Sequence, residues 1–456
     1  MLKKILFAFI ITFSIYPQSI KTKLDQLLTD EFYKSCVISV NVEDLTTNEN
    51  LYQRNIKYLL RPASNMKVLT SSAGLLYLGP DYEFRTELYY DGIISQDTLY
   101  GNIYVVGGCD PDFTTNDLYT FVDAIKSLNI SVIAGDIIGD VSFKDSLYWG
   151  SGWMWDDDPS SDAPYLSALN INDDCVIVNY FGKIDSVEII PKTNFVGVIR
   201  LNTNDKLKID RNWFERKNEI IISGFDNKND YSEQVNVLNP DLYFLKVFSE
   251  VLDSNQIKFC GNFRIETHNN NQTFLTAVTR KYSDVIVNLN KDSDNLSAEM
   301  TLLAMAEKYY GKPANAKNGI KVIKQMIEEI GLNPDDYRLV DGSGVSHYNV
   351  VSAELMLTLL KYFYNEKPEL YNLLYDSFPI GGVDGSLERR MLKSPLKNNV
   401  HAKTGTLTGV SSLSGYLTSK DNHLIAFSII QQNYIGSSST TKKFEDEICK
   451  IIYEYK

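Results

Sequence analysis

The sequence holds only four histidines, His268, His347, His401 and His423, all in its second half. It also has no Gly-x-Ser-x-Gly elbow, so a Ser-His-Asp nucleophile of the chymotrypsin or α/β-hydrolase kind has few places to form. Cysteine is sparse: Cys36, Cys109, Cys175, Cys260 and Cys449 make no C-x-x-C pair and no tight metal spacing, which argues against a zinc site. One or two disulfides are compatible with an exported chain, and so are ordinary buried thiols. Basic residues are in deficit, Lys+Arg 45 against Asp+Glu 58 for a net charge of −13. That balance argues against nucleic acid or an anionic membrane surface as the main partner. The longest apolar run, Ile5 to Tyr16, is about a dozen residues where a bilayer span needs about twenty. It follows Lys3 and Lys4 and precedes Pro17-Gln18-Ser19, a small-residue cleavage region. Residues 1–19 therefore read as a secretory signal peptide, with an uncleaved anchor as the alternative and at most peripheral membrane contact. No cysteine follows closely enough for a lipidated N-terminus, and no internal repeat is present.

The 456 residues and 44% hydrophobic content are enough for substantial cores in about two or three domains. Up to about Gly79 the pattern is α/β: a helix from Thr22, the strand Cys36 to Val42 with a turn near Asn48, and a helix opening near Ser64 and ended by Gly79-Pro80. From about Phe84 to Thr279 strands and turns dominate, with Asp97 to Val106 read as a strand and one helix at Asp117 to Leu128. Helical periodicity returns at Leu296 to Tyr310, Gly319 to Ile330 and Ala353 to Tyr364. The strands Val410 to Thr418 and Leu424 to Gln432 then form an antiparallel hairpin, closed by a helix from about Thr441. The expected division is 20–84 with 280–456 as one discontinuous unit and 85–279 as inserted material, two domains with one nested in the other.

The chemistry begins at Ser64-Asn65-Met66-Lys67. On a helix, positions i and i+3 share a face, so Ser64 and Lys67 lie side by side near the positive end of the helix dipole. A serine is a nucleophile only if an adjacent base takes its proton, and a lysine is that base only if burial or a neighbouring cation lowers its pKa. Alone the spacing means little: Ser394/Lys397 and Ser439/Lys442 share it, and a Ser cap beside a solvated Lys is the commoner meaning. Ser293-Asp294-Asn295 precedes the helix from Leu296 and has its own bland reading as a helix cap. Lys403-Thr404-Gly405-Thr406 lies on a strand, where Gly405 would let a ligand backbone approach and Lys403 would supply a cation for a carboxylate; a charged edge strand is the alternative. Occurring together in this order, the three strings are the established signature of penicillin-binding proteins and class A β-lactamases.

At these residues the chain resembles the class C low-molecular-mass penicillin-binding proteins, the D-alanyl-D-alanine carboxypeptidase/endopeptidases of peptidase family S13. The resemblance extends to Gly107-Gly108-Cys109-Asp110-Pro111, Gly135 to Asp140, the Trp153 to Asp158 loop, Asp341 to Ser346 and Gly382 to Leu387. The long interval between Ser64 and Ser293 matches a family with domains inserted there; Cys109 is a local departure. The resemblance implies a penicillin-binding transpeptidase/β-lactamase-like fold, an antiparallel sheet with helices, carrying a large mostly-β insertion. It implies exported, periplasmic or cell-envelope acyl transfer on peptidoglycan stem peptides, with β-lactams as acylating inhibitors and neither metal nor organic cofactor. Ser64 would be the nucleophile, Lys67 its base and Ser293 the proton relay. The N–H groups of Ser64 and Thr406 would form the oxyanion hole. Lys403, Thr404 and Thr406 would hold the terminal carboxylate, Asn295 would steady substrate and Lys67, and Asp157 would bind a free amine on the stem. The Asp156-Asp157-Asp158 run otherwise reads as a solvated acidic loop. A β-lactamase and a non-catalytic wall-binding relative are the alternatives; the insertion and the lack of a recognisable deacylating Glu motif count against the first, the intact strings against the second.

Overall fold

The computed structural model describes residues 19–455 apart from 202, 204 and 270. The signal-peptide reading, but for Ser19, lies outside the described residues.

The two ends of the chain meet in one antiparallel sheet. Its strands run in the order His401–Leu407, Val410–Thr418, Leu424–Gln432, Val37–Asp44, Glu49–Arg54, with Val37 opposite Gln432 and Asp44 opposite Ile425. Period-two alternation on the central strand sorts its side chains between two layers. Ile425, Phe427 and Ile429 join a core shared with the terminal helices Ile20–Leu27 and Ser439–Tyr453, whereas Ala426 and Ile430 join the core of the main helical layer. That layer contains Met66–Tyr77, Tyr282–Lys291, Asn295–Tyr310, Ala316–Glu329, Ala353–Glu366 and Pro368–Ser377. Met66–Tyr77 is buried around nearly its whole circumference, as a helix at the centre of such a layer must be. Its Gly74 leaves room for Tyr282: a Cβ there would lie 2.1 Å from the phenol oxygen.

The intervening chain departs on strand Glu83–Tyr90 and returns on Thr273–Lys281, which pair antiparallel with Glu83 opposite Lys281. They belong to a mixed sheet, in the order Phe263–Ile265, Ile137–Asp140, Ile103–Val106, Glu83–Tyr90, Thr273–Lys281. Helices Leu118–Ser127 and Pro240–Ser254 pack against it and each other. Residues 175–236 form two further three-stranded sheets; one places Glu219–Ser223 between Gly197–Leu201 and Lys208–Arg211.

Two readings of this region change. Pro240–Ser254 is a helix where mixed strands were expected; Pro240 opens it, and Tyr243, Phe244, Val247, Phe248, Val251 and Leu252 recur on its buried face. The strand expected over Asp97 to Val106 divides into Thr98–Tyr100 and Ile103–Val106, which belong to different sheets. At the break, Asn102 donates its backbone N–H (2.6 Å) to the Asp91 carboxylate and accepts from the Asp136 N–H (2.8 Å), so side chains replace the ladder. All five cysteines are free thiols, and Cys109, Cys175 and Cys449 are buried.

Candidate active site

Ser64 sits in a single 3₁₀ turn, Ala63–Asn65, that leads directly into the helix Met66–Tyr77. The turn is entered with Ala63 at φ 49°, a left-handed conformation uncommon for a side-chain-bearing residue and enriched at functional sites. Gly344, itself at φ 88°, lies against it; a Cβ on Gly344 would fall 2.0 Å from the Ala63 carbonyl oxygen. Lys67 lies in the first turn of that helix, three residues on and on the same face, and its Nζ lies 3.2 Å from the Ser64 Oγ.

The Lys67 ammonium is fully buried. Its other donors go to the Ser343 carbonyl (2.8 Å) and the Asn295 Oδ1. Burial lowers its pKa to about 8, against the opposing pull of Asp294, Asp341, Glu299 and Asp162. The Ser343 carbonyl is held by a buried polar platform. Glu299 accepts the N–H groups of Gly342 (2.9 Å) and Ser343 (2.8 Å), while Asp341 accepts those of Gly344 (2.9 Å) and Ser346 (2.6 Å) and the Trp153 indole N–H (3.0 Å). Sequence reasoning missed Ser343 and Glu299; Ser343 acts through a backbone oxygen that any residue type supplies.

Ser293 also has a positive φ, 62°, in the turn before the helix capped by Asp294. This aims its Oγ at the Lys403 Nζ, 2.8 Å away. Lys403 is fully buried, and its second donor goes to the Thr404 carbonyl (3.0 Å). Burial, then the neighbouring Lys67 charge, pushes its pKa well below the ordinary lysine value. The ammonium expected to serve the terminal carboxylate therefore also donates to Ser293. Asn295 meets Lys67 as expected, its Oδ1 facing the amine, and its amide nitrogen donates to the Asp162 carbonyl (2.5 Å).

The strand His401–Leu407 is an edge of its sheet. The Ala402 N–H points outward to the Pro379 carbonyl (3.0 Å); by strand parity the N–H groups of Thr404 and Thr406 point to the same outer side, away from Val410–Thr418. Thr404 and Thr406 line a cleft of about 270 Å³ together with Ser64, Asp157, Asp162, Ser293 and Asn295. The Thr404 hydroxyl is paired with Ser386 at 2.6 Å. Gly405 has a different role from the one expected. A Cβ there would meet Ser412 Oγ at 2.4 Å, the Pro62 oxygen at 2.7 Å and the Asn65 nitrogen at 2.9 Å. The glycine admits the chain's own nucleophile turn, not a ligand backbone.

In the acidic loop the three carboxylates diverge. Asp157 faces the cleft and accepts the Met154 N–H (2.7 Å); burial raises its pKa. Asp158 is not solvated: it is buried against the Arg211 guanidinium and accepts from the Tyr165 hydroxyl (2.9 Å). Asp110 and Asp140 serve structural joints, Asp110 with Arg280 (3.3 Å) and Asp140 with the Ser142 N–H (2.7 Å).

The profile of the D-Ala-D-Ala carboxypeptidase 3 (S13) family matches residues 20–454. The chain belongs to this family. Among S13 relatives, D-alanyl-D-alanine carboxypeptidase DacB of Haemophilus influenzae is 28% identical over 480 residues, covering 96% of this chain and 99% of the relative. The crystal structure of penicillin binding protein 4 (dacB) from Haemophilus influenzae superposes with a TM-score of 0.84 at 26% identity, covering 95% of this chain and 99% of that one. A second structure of that protein, complexed with a β-lactam, gives 0.79 with the same identity and coverage. The S13 fold expected from the three strings, mixed α/β and penicillin-binding-protein-like, is thereby shown.

Proposed function

We propose that this S13 chain is a serine D-Ala-D-Ala carboxypeptidase that hydrolyses peptidoglycan stem peptides through a Ser64 acyl-enzyme, and that β-lactams acylate the same serine. The observation that carries the reading is the buried Lys67 Nζ, lowered to about 8 and 3.2 Å from the Ser64 Oγ. A neutral Lys67 accepts the Ser64 proton as Oγ attacks the carbonyl of the penultimate D-Ala. The developing oxyanion is received by the N–H groups of Ser64 and Thr406, a device worth about 3–4 kcal/mol per donor. As the C–N bond breaks, Ser293 passes a proton to the departing amine, with Lys403 at its Oγ fixing the hydroxyl. Thr404 and Thr406 bind the terminal carboxylate, and Asn295 fixes the Lys67 amine. Water then hydrolyses the ester. Asp157 takes a free amine on the stem peptide.

The proposal includes peptide crosslinks, in which the leaving group is an amine of a neighbouring stem and the broken bond is of the same kind. It places the chain outside the cytoplasmic membrane, where this substrate lies. Among the described residues no helix is long and apolar enough to cross a membrane. It also divides the chain into a catalytic unit, 20–84 with 280–456, and inserted domains over 85–279.

Labelled penicillin tests the reading. The wild-type chain should take up one slow-turning label at Ser64 and release D-Ala from pentapeptide, and Ser64→Ala should do neither. Rapid penicillin turnover would favour a β-lactamase, and a folded chain that takes no label a non-catalytic relative. Mass spectrometry of crosslinked muropeptides after digestion tests the crosslink activity.

A further inference from the structure

All four tryptophans of the sequence, Trp149, Trp153, Trp155 and Trp213, gather in one region beside the catalytic cleft. Trp155 lies 4.9 Å from Trp213 between ring centroids, and Trp213 stacks on Phe214 at 4.1 Å. These rings are not core: Trp155 is 66% exposed and Phe214 76%. Together with Trp149, Tyr165 and Arg216 they line an open cavity of about 400 Å³. Exposed aromatic rings are unfavourable in water, and a contiguous patch of them marks a binding surface.

The patch is held rigidly. Arg211 is wholly buried and pairs with Asp158, which ties the Trp213 loop to the Trp155 turn. Arg211 also donates to the Asn236 side-chain oxygen (3.2 Å) and the Lys217 carbonyl (3.3 Å). The cavity is continuous in sequence with the catalytic cleft: Asp157 lines one and Asp158, the next residue, lines the other.

We infer that this aromatic cavity binds the glycan strand from which the stem peptide hangs, as N-acetylated pyranose rings stacked on Trp155, Trp213 and Phe214. The inference rests on the function proposed above. The axial C–H faces of a pyranose are apolar and flat enough to lie on an aromatic face, while Arg216 at the rim supplies donors for ring substituents. The order of sites matches the order of groups in the substrate: acyl carbon at Ser64, mid-stem amine at Asp157, sugar beyond. An extended stem of four residues spans roughly 14 Å at most, so the sugar must rest on the protein surface close to the cleft.

The test uses the full chain and two substrates, a sugar-free pentapeptide and the same pentapeptide on its disaccharide. Phe214→Ala and Trp213→Ala should lower kcat/KM about tenfold on the disaccharide substrate and less than about twofold on the sugar-free one, the scale of losing one aromatic anchor. Peptide-stripped glycan strands should quench the tryptophan fluorescence of the wild type and much less that of Trp213→Ala. Equal losses on both substrates, or no quenching, would overturn the inference. So would a wild-type dimer in sedimentation that Phe214→Ala dissociates, since the patch would then be a self-association surface. If penicillin fails to label Ser64 the proposed function falls, yet the glycan titration still decides this binding site.

Discussion

The pH dependence of acylation follows from the burial of Lys67. With a pKa of about 8, its neutral fraction is about 1% at pH 6, about 10% at pH 7 and half at pH 8. If the neutral amine takes the Ser64 proton, the second-order rate of acylation by a labelled penicillin should rise about tenfold from pH 6 to 7, about fivefold more to pH 8, and level above pH 9. Intact-mass measurement of the acyl-enzyme isolates this step from deacylation. Lys67→Arg, which holds its proton throughout, should show no such rise and almost no acylation. The ordinary lysine value is 10.5, so the shift also has a stability consequence. The ammonium's burial costs about 3 kcal/mol while both folded and unfolded states hold the proton, below pH 8; the penalty is relieved as the folded state releases its proton first, between pH 8 and 10.5. A rate that varies less than about twofold between pH 6 and 8, or one still climbing at pH 10, would refute Lys67 as a base tuned by burial.

Other perturbations follow from the same geometry. Gly405→Ala forces the edge strand away from the Pro62–Asn65 turn; penicillin acylation should fall by about tenfold or more, with circular dichroism unchanged. Arg211→Met leaves the Asp158 carboxylate buried and unpaired, a loss of about 3–5 kcal/mol in urea unfolding, and Asp158→Asn added to it should restore part of that stability. Asp157→Asn should bring the ratio of hydrolysis rates for amine-bearing and amine-acetylated stems close to one; an unchanged ratio would remove Asp157 from substrate recognition.

Much of the architecture was legible locally. The hairpin Val410–Thr418 and Leu424–Gln432 appears with the expected bounds, because the turn residues Lys420-Asp421-Asn422 separate two segments rich in strand-forming and small residues. The helix Pro240–Ser254 was legible too, in its first-turn proline and its repeating aromatic and aliphatic face, but it lay among strand-rich sequence that masked it. The break at Gly101-Asn102 was not legible, because it depends on Asp91 and Asp136, residues brought there by the sheet. The same holds at the site. Spacing alone put Ser64 beside Lys67, since both lie within one turn of backbone. It could not show that Lys403 turns to Ser293, that Asn295 is shared between Lys67 and Asp162, or that Asp158 is buried against Arg211 while Asp157 faces the cleft.

The sequence by itself determined the nucleophile with its lysine, the three strings, the family resemblance they carry and the periodicities of most elements, because each is a matter of residue type and separations of a few positions. Tertiary structure alone decided which atoms face the cleft, how far the Lys67 and Lys403 ammoniums are displaced from their ordinary acidity, and the docking of the distant Trp213 and Phe214 against Trp155 beside the cleft. Those properties are set by desolvation and by charges and rings contributed from far along the chain, and no local pattern records what will surround a side chain once the chain has closed on itself.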